Sequence, residues 1–452
     1  MANRIPVIIS TDPGVDDIVA ILFALASPEL EILAFITSFG NADIASSRSV
    51  HCACNGTLSN RIYSLNILKA YQAVSRHLDR FPEDAARFPN FSQDVKPILA
   101  RGSAGPLEGD LHSAQYFHGR DGLGGIAERH PELDVEGDDS QHPQLTITDR
   151  SGLEVASELI RDRPSRTITY VALGPLTDLA WLMADHAALV RDRIGRIVCM
   201  GGALDVPGNT SPVAEFNFFA DPFAVKRLLI QGQGIEDPHV LLPLDRFVLL
   251  PLDITTPHEL PFPFYKEKVD PSFETSAAPS DGTNKPPLTH FTSSFLEKTR
   301  EVMLQFGKDA MELHDIVAVW CAIENPPGAD TLAPGWQGRK RVFDIERTGE
   351  LTRGMVIVDR RDDLSAYAPG ANRAAVQAEL DKHDTRHGTW ESTALPALVE
   401  TEHTPKDLHP RGVLCVHATP GPDTLLASLA KRVWGVDVQT EEDILLIPQM
   451  SL

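Results

Sequence analysis

The stretch "VIISTDPGVDDIVAILFAL", residues 7–25, sets an apolar run on each side of Asp12, Asp16 and Asp17. A short buried strand (5–10), a helix (16–26) and a second strand (31–37) follow in that order. Strand, helix, strand at this spacing is a βαβ unit, which favours a parallel sheet. The pattern returns as strand 167–173, a Gly-Pro turn and helix 176–186. A strand at 194–203, a helix at 221–230 opened by Asp221 and Pro222, and a strand within 239–245 or 247–255 extend it. The expected fold is α/β: a Rossmann-like, doubly wound, mostly parallel central sheet flanked by helices. Residues 1–385 make up this domain, with an insertion near 45–65 and surface loops at 130–150 and 257–290. Residues 386–452 read as a polar linker and a C-terminal strand–helix extension, which either adds to the main sheet or packs as an appendage.

Charge narrows the partners. The 452 residues carry a formal net charge of -22, so phosphates of nucleic acid or of an anionic membrane are repelled. The longest apolar tract, residues 18–26, is too short to span a bilayer, and no secretory signal pattern opens the chain. Five scattered cysteines suit free thiols in a reducing compartment, and a cytoplasmic location is expected. Cys52 and Cys54 beside His51 are too tightly spaced for a zinc knuckle.

Three carboxylates within six residues need an explanation. Asp16 and Asp17 suit the first turn of a helix, where the dipole favours negative charge, but Asp12 lies before it at the strand end. Held together in a cleft, the three cannot all stay ionised unless a cation joins them or a proton is shared. A hard divalent cation meets that need, and the carboxyl end of a strand is where open α/β sheets bind ligands. Further motifs carry polar groups in apolar surroundings. "ALGPLTDLA" (172–180) leaves free carbonyls at a strand tip. "MGGALDVPGNTSPVAEFNFFADP" (200–222) sets Asn209, Glu215 and Asn217 among Gly and aromatic residues, a mix suited to a polyol. "YFHGRDGLGG" (116–125) holds His118 in a Gly-rich loop without the Lys-Ser/Thr of a phosphate loop, and "LHDIVAVW" (313–320) opens a helix on His314 and Asp315.

Together these motifs resemble the inosine-uridine preferring nucleoside hydrolases. Asp12-Pro13-Gly14-Val15-Asp16-Asp17 looks like the family signature, and "FGN" at 39–41, "HGRDGLG" at 118–124, "AEFNFFADP", "HD" at 314–315 and "GELTRGMVIVD" at 349–359 follow in the family's order. The resemblance implies one Ca2+ held by Asp12, Asp17, the main-chain carbonyl of Leu173 and Asp315. It places Asp16, Asn41, Asn209, Glu215, Asn217 and Asp315 on the ribose. It makes Asp12 the base that takes a proton from the attacking water and His314 the acid that protonates the leaving base. His118, Phe291 and Phe295 are candidates for the base pocket. Two departures stand out: Ser10 replaces the signature's usual first Asp, and the segment after Asn41 is longer than the family needs.

The expected activity is therefore calcium-dependent hydrolysis of the N-glycosidic bond of ribonucleosides, releasing base and ribose for salvage. The expected partner is a small-molecule ribonucleoside, and the expected assembly is a homodimer or homotetramer. Alternatives are a hydrolase of a related ribosyl compound, such as nicotinamide riboside, and a catalytically inert nucleoside-binding protein.

Overall fold

Uninterrupted apolar strands belong in a sheet that is covered on both faces. The computed structural model describes residues 4–42, 59–92, 96–135, 141–230, 242–358 and 412–438, with the backbone alone at 59–64. The strands are β1 (Ile5–Thr11), β2 (Leu30–Thr37), β3 (Ile98–Arg101), β4 (Thr146–Ser151), β5 (Ile168–Ala172), β6 (Ile194–Met200), β7 (Phe247–Leu250), β8 (Glu259–Pro261), β9 (Ala310–Glu312), β10 (Gln337–Arg341), β11 (Phe343–Ile345), β12 (Val356–Val358) and β13 (Val413–Ala418). Nine of them form one sheet in the order β10-β13-β7-β6-β5-β1-β2-β3-β4. Every neighbouring pair is parallel except β10 with β13. The doubly wound, mostly parallel sheet expected from the apolar runs is the one found.

Side-chain alternation divides the core into two layers. Val7 and Ile9 of β1, Val171 of β5, Val198 and Met200 of β6, and Val248 and Leu250 of β7 face one side. There they meet the helices Val15–Leu25, Pro287–Gln305 and His314–Glu324. Ile8, Tyr170, Ile197, Cys199, Phe247 and Leu249 face the other side, against the helices Gly152–Asp162, Thr177–Arg193 and Pro222–Leu229. A one-residue slip in any of these strands would exchange its two faces, so the two layers fix the register.

The helix Val15–Leu25 is buried at every position except Asp16, which is partly buried. A helix this enclosed needs partners for its last carbonyls. Asn90 supplies them, donating from Nδ2 to Ala24 O at 3.0 Å and Ser27 O at 2.8 Å.

β1 lies between β2 and β5, so the chain winds away from it in both directions. That is the switch point where such sheets bind ligands. Asp12 directly follows β1 and Leu173 directly follows β5.

Two regions differ from expectation, and a third takes one of the two places open to it. Residues 257–290 do not form a surface loop throughout: β8 pairs antiparallel with β9, and the helix Phe262–Lys268 buries Phe262, Phe264 and Tyr265. Three large aromatic side chains within about one turn gain more by burial than a mobile loop would allow. Within 130–150, the last residues form edge strand β4, whose exposed polar side chains hide it from an apolar search. The C-terminal strand does not stand apart. β13 lies inside the sheet, between β7 and β10. The tight segment around Cys52, most of the 45–65 insertion and the polar linker fall outside the described residues; the helix Ser59–Arg80 begins within the insertion's span. The other cysteines, Cys199, Cys321 and Cys415, are free and buried.

Arg432 fastens the C-terminal segment to the β1–β2 unit, donating to both oxygens of Glu29 at 2.9 Å and to Ser27 Oγ at 2.8 Å. Ending the chain at residue 411 therefore strips an interior strand as well as this clasp. The shortened protein is expected to lose its cooperative thermal unfolding and to aggregate on size-exclusion chromatography, whereas a true appendage could be removed with both unchanged.

Candidate active site

Two helix N-termini converge at the switch point. Gly14 caps the helix Val15–Leu25, whose first turn carries Asp16 and Asp17. Asp315 lies in the first turn of the helix His314–Glu324. Carboxylate oxygens of Asp16, Asp17 and Asp315 all lie within 4.8 Å of one another. Asp12, at the end of β1, is buried beside them.

Asp17 is the best-held member. Its Oδ1 accepts from Thr11 Oγ1 at 2.5 Å and from the Asp12 N–H at 3.2 Å. Its Oδ2 accepts from the Gly14 N–H at 3.0 Å and from Asn41 Nδ2 at 2.8 Å. Asp12 and Asp16 are treated differently: among the described residues, Asp12 Oδ2 and Asp16 Oδ1 are buried without a hydrogen-bond partner. Two glycines make room for the Asp12 carboxylate. A Cβ on Gly40 would stand 1.8 Å from Asp12 Oδ2, and one on Gly174 would stand 2.6 Å from Oδ1.

The titration follows from this enclosure. Burial, and then the charges of Asp17 and Asp16, push the Asp12 carboxyl well above the ordinary carboxylate range. Burial and the charge of Asp17 push Asp16 up to about 8. Burial raises Asp17 against the pull of its donors, and burial with three neighbouring carboxylates raises Asp315. Two unit charges under 5 Å apart repel by at least about 3 kcal/mol at an effective dielectric constant of 20. Three such pairs approach the whole stability of a folded domain, about 5–15 kcal/mol. The cluster must therefore share protons or hold a cation. Orphaned oxygens, an all-oxygen donor set and two converging helix N-termini fit a hard divalent ion.

The remaining expected residues are each held by hydrogen bonds of their own. Asn41 also donates to the Asp12 carbonyl at 2.9 Å, so it holds the acidic turn in shape. Asn217 Nδ2 donates to the Leu173 carbonyl at 2.6 Å, which places that carbonyl and that amide side by side. Glu215 caps the short helix Phe216–Ala220, accepting from the N–H groups of Asn217 at 2.7 Å and Phe218 at 3.1 Å, and also from Gly202 at 2.7 Å. Asn209 Oδ1 accepts from the Phe216 N–H at 3.0 Å. His314 Nδ1 bonds Thr255 Oγ1 at 2.8 Å, and burial lowers its pKa, which leaves a neutral imidazole at the rim of the acidic group.

The three base-pocket candidates are placed differently. His118 reaches the site: its Nδ1 accepts from the Val15 N–H at 3.1 Å, and burial, with the charge of His314, pushes its pKa down to about 3. Phe291 and Phe295 do not. Both are fully buried on the helix Pro287–Gln305, edge to face with ring centres 5.4 Å apart, inside the hydrophobic layer. No ring face is left for a ligand.

Three contributors escaped the sequence. Thr11 precedes the acidic run and grips Asp17. Thr255 orients His314. Asn66 donates from Nδ2 to the Pro13 carbonyl at 2.9 Å and the Asp121 carbonyl at 2.8 Å, tying the Gly-rich loop to the Asp-Pro-Gly turn. Thr11 borders the quoted signature, but nothing local marks Asn66 or Thr255.

Comparison with known proteins agrees with this geometry. The family model described as "Inosine-uridine preferring nucleoside hydrolase" matches residues 7–386. The pyrimidine-specific ribonucleoside hydrolase RihA of Shewanella sp. (strain MR-7) is 35% identical over 367 residues, covering 78% of this chain and 86% of its own. The protein of the same description from Shewanella oneidensis is 28% identical over 367 residues, with the same coverage of 78% and 86%. Among solved structures, a plant nucleoside hydrolase, the PpNRh1 enzyme, superposes with a TM-score of 0.60 at 20% identity, covering 96% of this chain and 99% of that one. A purine-preferring ribonucleoside hydrolase from Gardnerella vaginalis gives 0.58 at 19% identity, covering 95% and 98%. These two show the shared fold. Sequence and fold together make the protein an N-glycosyl hydrolase. It belongs to the inosine-uridine preferring nucleoside hydrolase family.

Two outcomes follow from the buried carboxylates. Their folded pKa values lie above the unfolded ones near 4, so the folded state holds the extra protons. Without a divalent cation, stability should be greatest near pH 4 and fall as pH rises toward 8; saturating Ca2+ should flatten the fall, as should Asp16→Asn without metal. Melting temperature against pH, in chelator and in Ca2+, reads this, and a rise in chelator across that window would contradict it. Gly40→Ala, whose methyl would strike the Asp12 carboxylate, is expected to cut kcat/KM at least 100-fold while the circular dichroism spectrum stays native.

Proposed function

We propose that this protein hydrolyses the N-glycosidic bond of ribonucleosides with the help of one calcium ion, releasing a nucleobase and ribose for salvage. The observation that carries the reading is the pair of unpartnered carboxylate oxygens, on Asp12 and Asp16, in an all-oxygen cluster at the switch point. Asp12, Asp17, Asp315 and the Leu173 carbonyl would hold the ion. When bound, it would offset the carboxylates and make a water at the site easier to deprotonate.

The chain's own groups do the rest. Asp12, packed against Gly40 and Gly174, has its free Oδ2 available to take the proton of the attacking water. As the glycosidic bond stretches, positive charge grows on the ribose ring, and the surrounding carboxylates stabilise it more than they do the neutral substrate. Asp16, Asn41, Asn209, Glu215 and Asn217 take the sugar hydroxyls. Several of these side chains already bond backbone groups, so their positions are fixed before substrate arrives. The Thr255 contact holds the His314 ring by Nδ1 and leaves Nε2 to face the leaving base. A buried, weakly basic imidazole is a strong acid once protonated, which suits the protonation of a poor leaving group.

The two Shewanella relatives are described as pyrimidine-specific, so uridine and cytidine belong beside inosine, adenosine and guanosine in the assay. Ribose release is expected to stop in chelator and to return with Ca2+. Asp12→Asn should remove it at least 1,000-fold. His314→Ala should lower kcat by about 10²–10⁴ with little change in KM. Chelator-resistant release, or full activity in Asp12→Asn, would overturn the reading.

A further inference from the structure

A second cluster of ligand-type side chains lies away from the acidic group. His130, Glu132 and His290 bring one ligand atom each to within 4.8 Å of the others. His130 and Glu132 flank Pro131 just after the Gly-rich loop, while His290 comes from the first turn of the helix Pro287–Gln305. Glu132 Oε1 lies 3.2 Å from His130 Nδ1 and 3.0 Å from His290 Nε2. Donor atoms on a tetrahedral zinc ion, each about 2.0–2.1 Å from the metal, stand about 3.3 Å apart. Both carboxylate–imidazole distances are already close to that spacing, and the two imidazole nitrogens lie within 4.8 Å of each other.

The far side of each imidazole is also secured. His130 Nε2 lies 2.9 Å from Oε1 of Glu297, a buried carboxylate that also pairs with Arg129 and accepts from the Ser280 N–H at 2.8 Å. His290 Nδ1 lies 3.0 Å from Ser280 Oγ, which accepts from Lys285 Nζ at 2.9 Å. The two nearby cations are matched: Arg129 by Glu297, and Lys285 by Asp270 at 2.6 Å. A histidine whose second nitrogen is bonded in this way has its ring fixed for a metal, and a carboxylate in that place raises its basicity. His130 and His290 are buried, whereas the Glu132 side chain is 55% exposed, so one side of the cluster opens to water.

We propose that His130, Glu132 and His290 form a binding site for a borderline divalent transition metal, Zn2+ by preference, with solvent completing its coordination. Nitrogen donors separate this site from the all-oxygen cluster, which suits calcium. The ion clasps the turn that follows the Gly-rich loop to the helix Pro287–Gln305. That loop also carries His118, which caps the helix bearing Asp16 and Asp17. The clasp thus braces one wall of the acidic site from outside, and its residues take no part in the hydrolysis.

Cobalt(II) is the probe, because nitrogen-ligated, low-coordinate Co2+ absorbs strongly in the visible whereas an oxygen-only six-coordinate ion does not. The full-length protein is stripped with chelator, supplied with excess Ca2+ and titrated with Co2+. One equivalent should bind with intense visible bands, Zn2+ should bleach them, and Zn2+ should raise the melting temperature. Glu132→Gln, at an exposed position, should weaken Co2+ at least 10-fold with the fold intact. His290→Gln should abolish the bands. Absence of saturable bands in the wild-type protein, or equal Co2+ affinity in wild type and Glu132→Gln, would overturn the site. Neither result depends on ribose release, so failure here is distinct from failure of the calcium reading.

Discussion

Mutual repulsion of carboxylates governs this molecule. Asp12, Asp16, Asp17 and Asp315 are enclosed together, and their pKa values are driven up by burial and by one another. The fold accepts that cost because the scaffold opposes it from several directions. Two helix dipoles point their positive ends at the cluster. Thr11, Asn41 and the Gly14 N–H neutralise Asp17 with hydrogen bonds. The core behind is apolar on both faces of the sheet, so the acidic turn cannot relax inward. A structure that stores repulsion in this way is poised to bind positive charge, whether an ion or a ribose ring becoming cationic.

Much of this was legible in the chain, for identifiable reasons. Strands β1, β2, β5 and β6 are mainly apolar and almost wholly buried, and a parallel sheet covered on both faces is the setting that demands that. Asp12, Asp16 and Asp17 announce themselves by crowding. Asp315 does not: it reaches the cluster across some 300 residues, and only the family resemblance gave a part to it and to the Leu173 carbonyl. β10 was hidden because "QGRKR" is polar and pairs on one side only. Phe291 and Phe295 were misplaced because an aromatic pair at i, i+4 reads alike whether it faces a ligand or a core. The helix Pro287–Gln305 turns that stripe inward. His130 and His290 were silent for another reason: 160 residues separate them, and no spacing rule reaches so far.

Ser10 shows how a departure from the family pattern is absorbed. It stands where the signature usually has an Asp, at the end of β1, and it is buried. Its side chain faces Tyr170 on β5, whose phenol is pushed far up in pKa mainly by burial. Asp178, partly buried and raised in pKa mainly by desolvation, already supplies a carboxylate in this layer and is held by the N–H and hydroxyl of Ser103 at 2.7 Å each. A further charge at position 10 would add repulsion beneath the site, and a hydroxyl avoids it.

The place of β13 has a consequence for how the protein is made. β7 is synthesised some 160 residues before the strand that covers its free edge. At roughly 5–20 residues per second on the ribosome, β7 waits about ten seconds or more with one row of amides and carbonyls unpaired. An apolar strand with a bare edge is a template for other chains. The nascent protein is thus most vulnerable late in translation, and the segment carrying β13 decides whether the sheet closes on itself or on a neighbour.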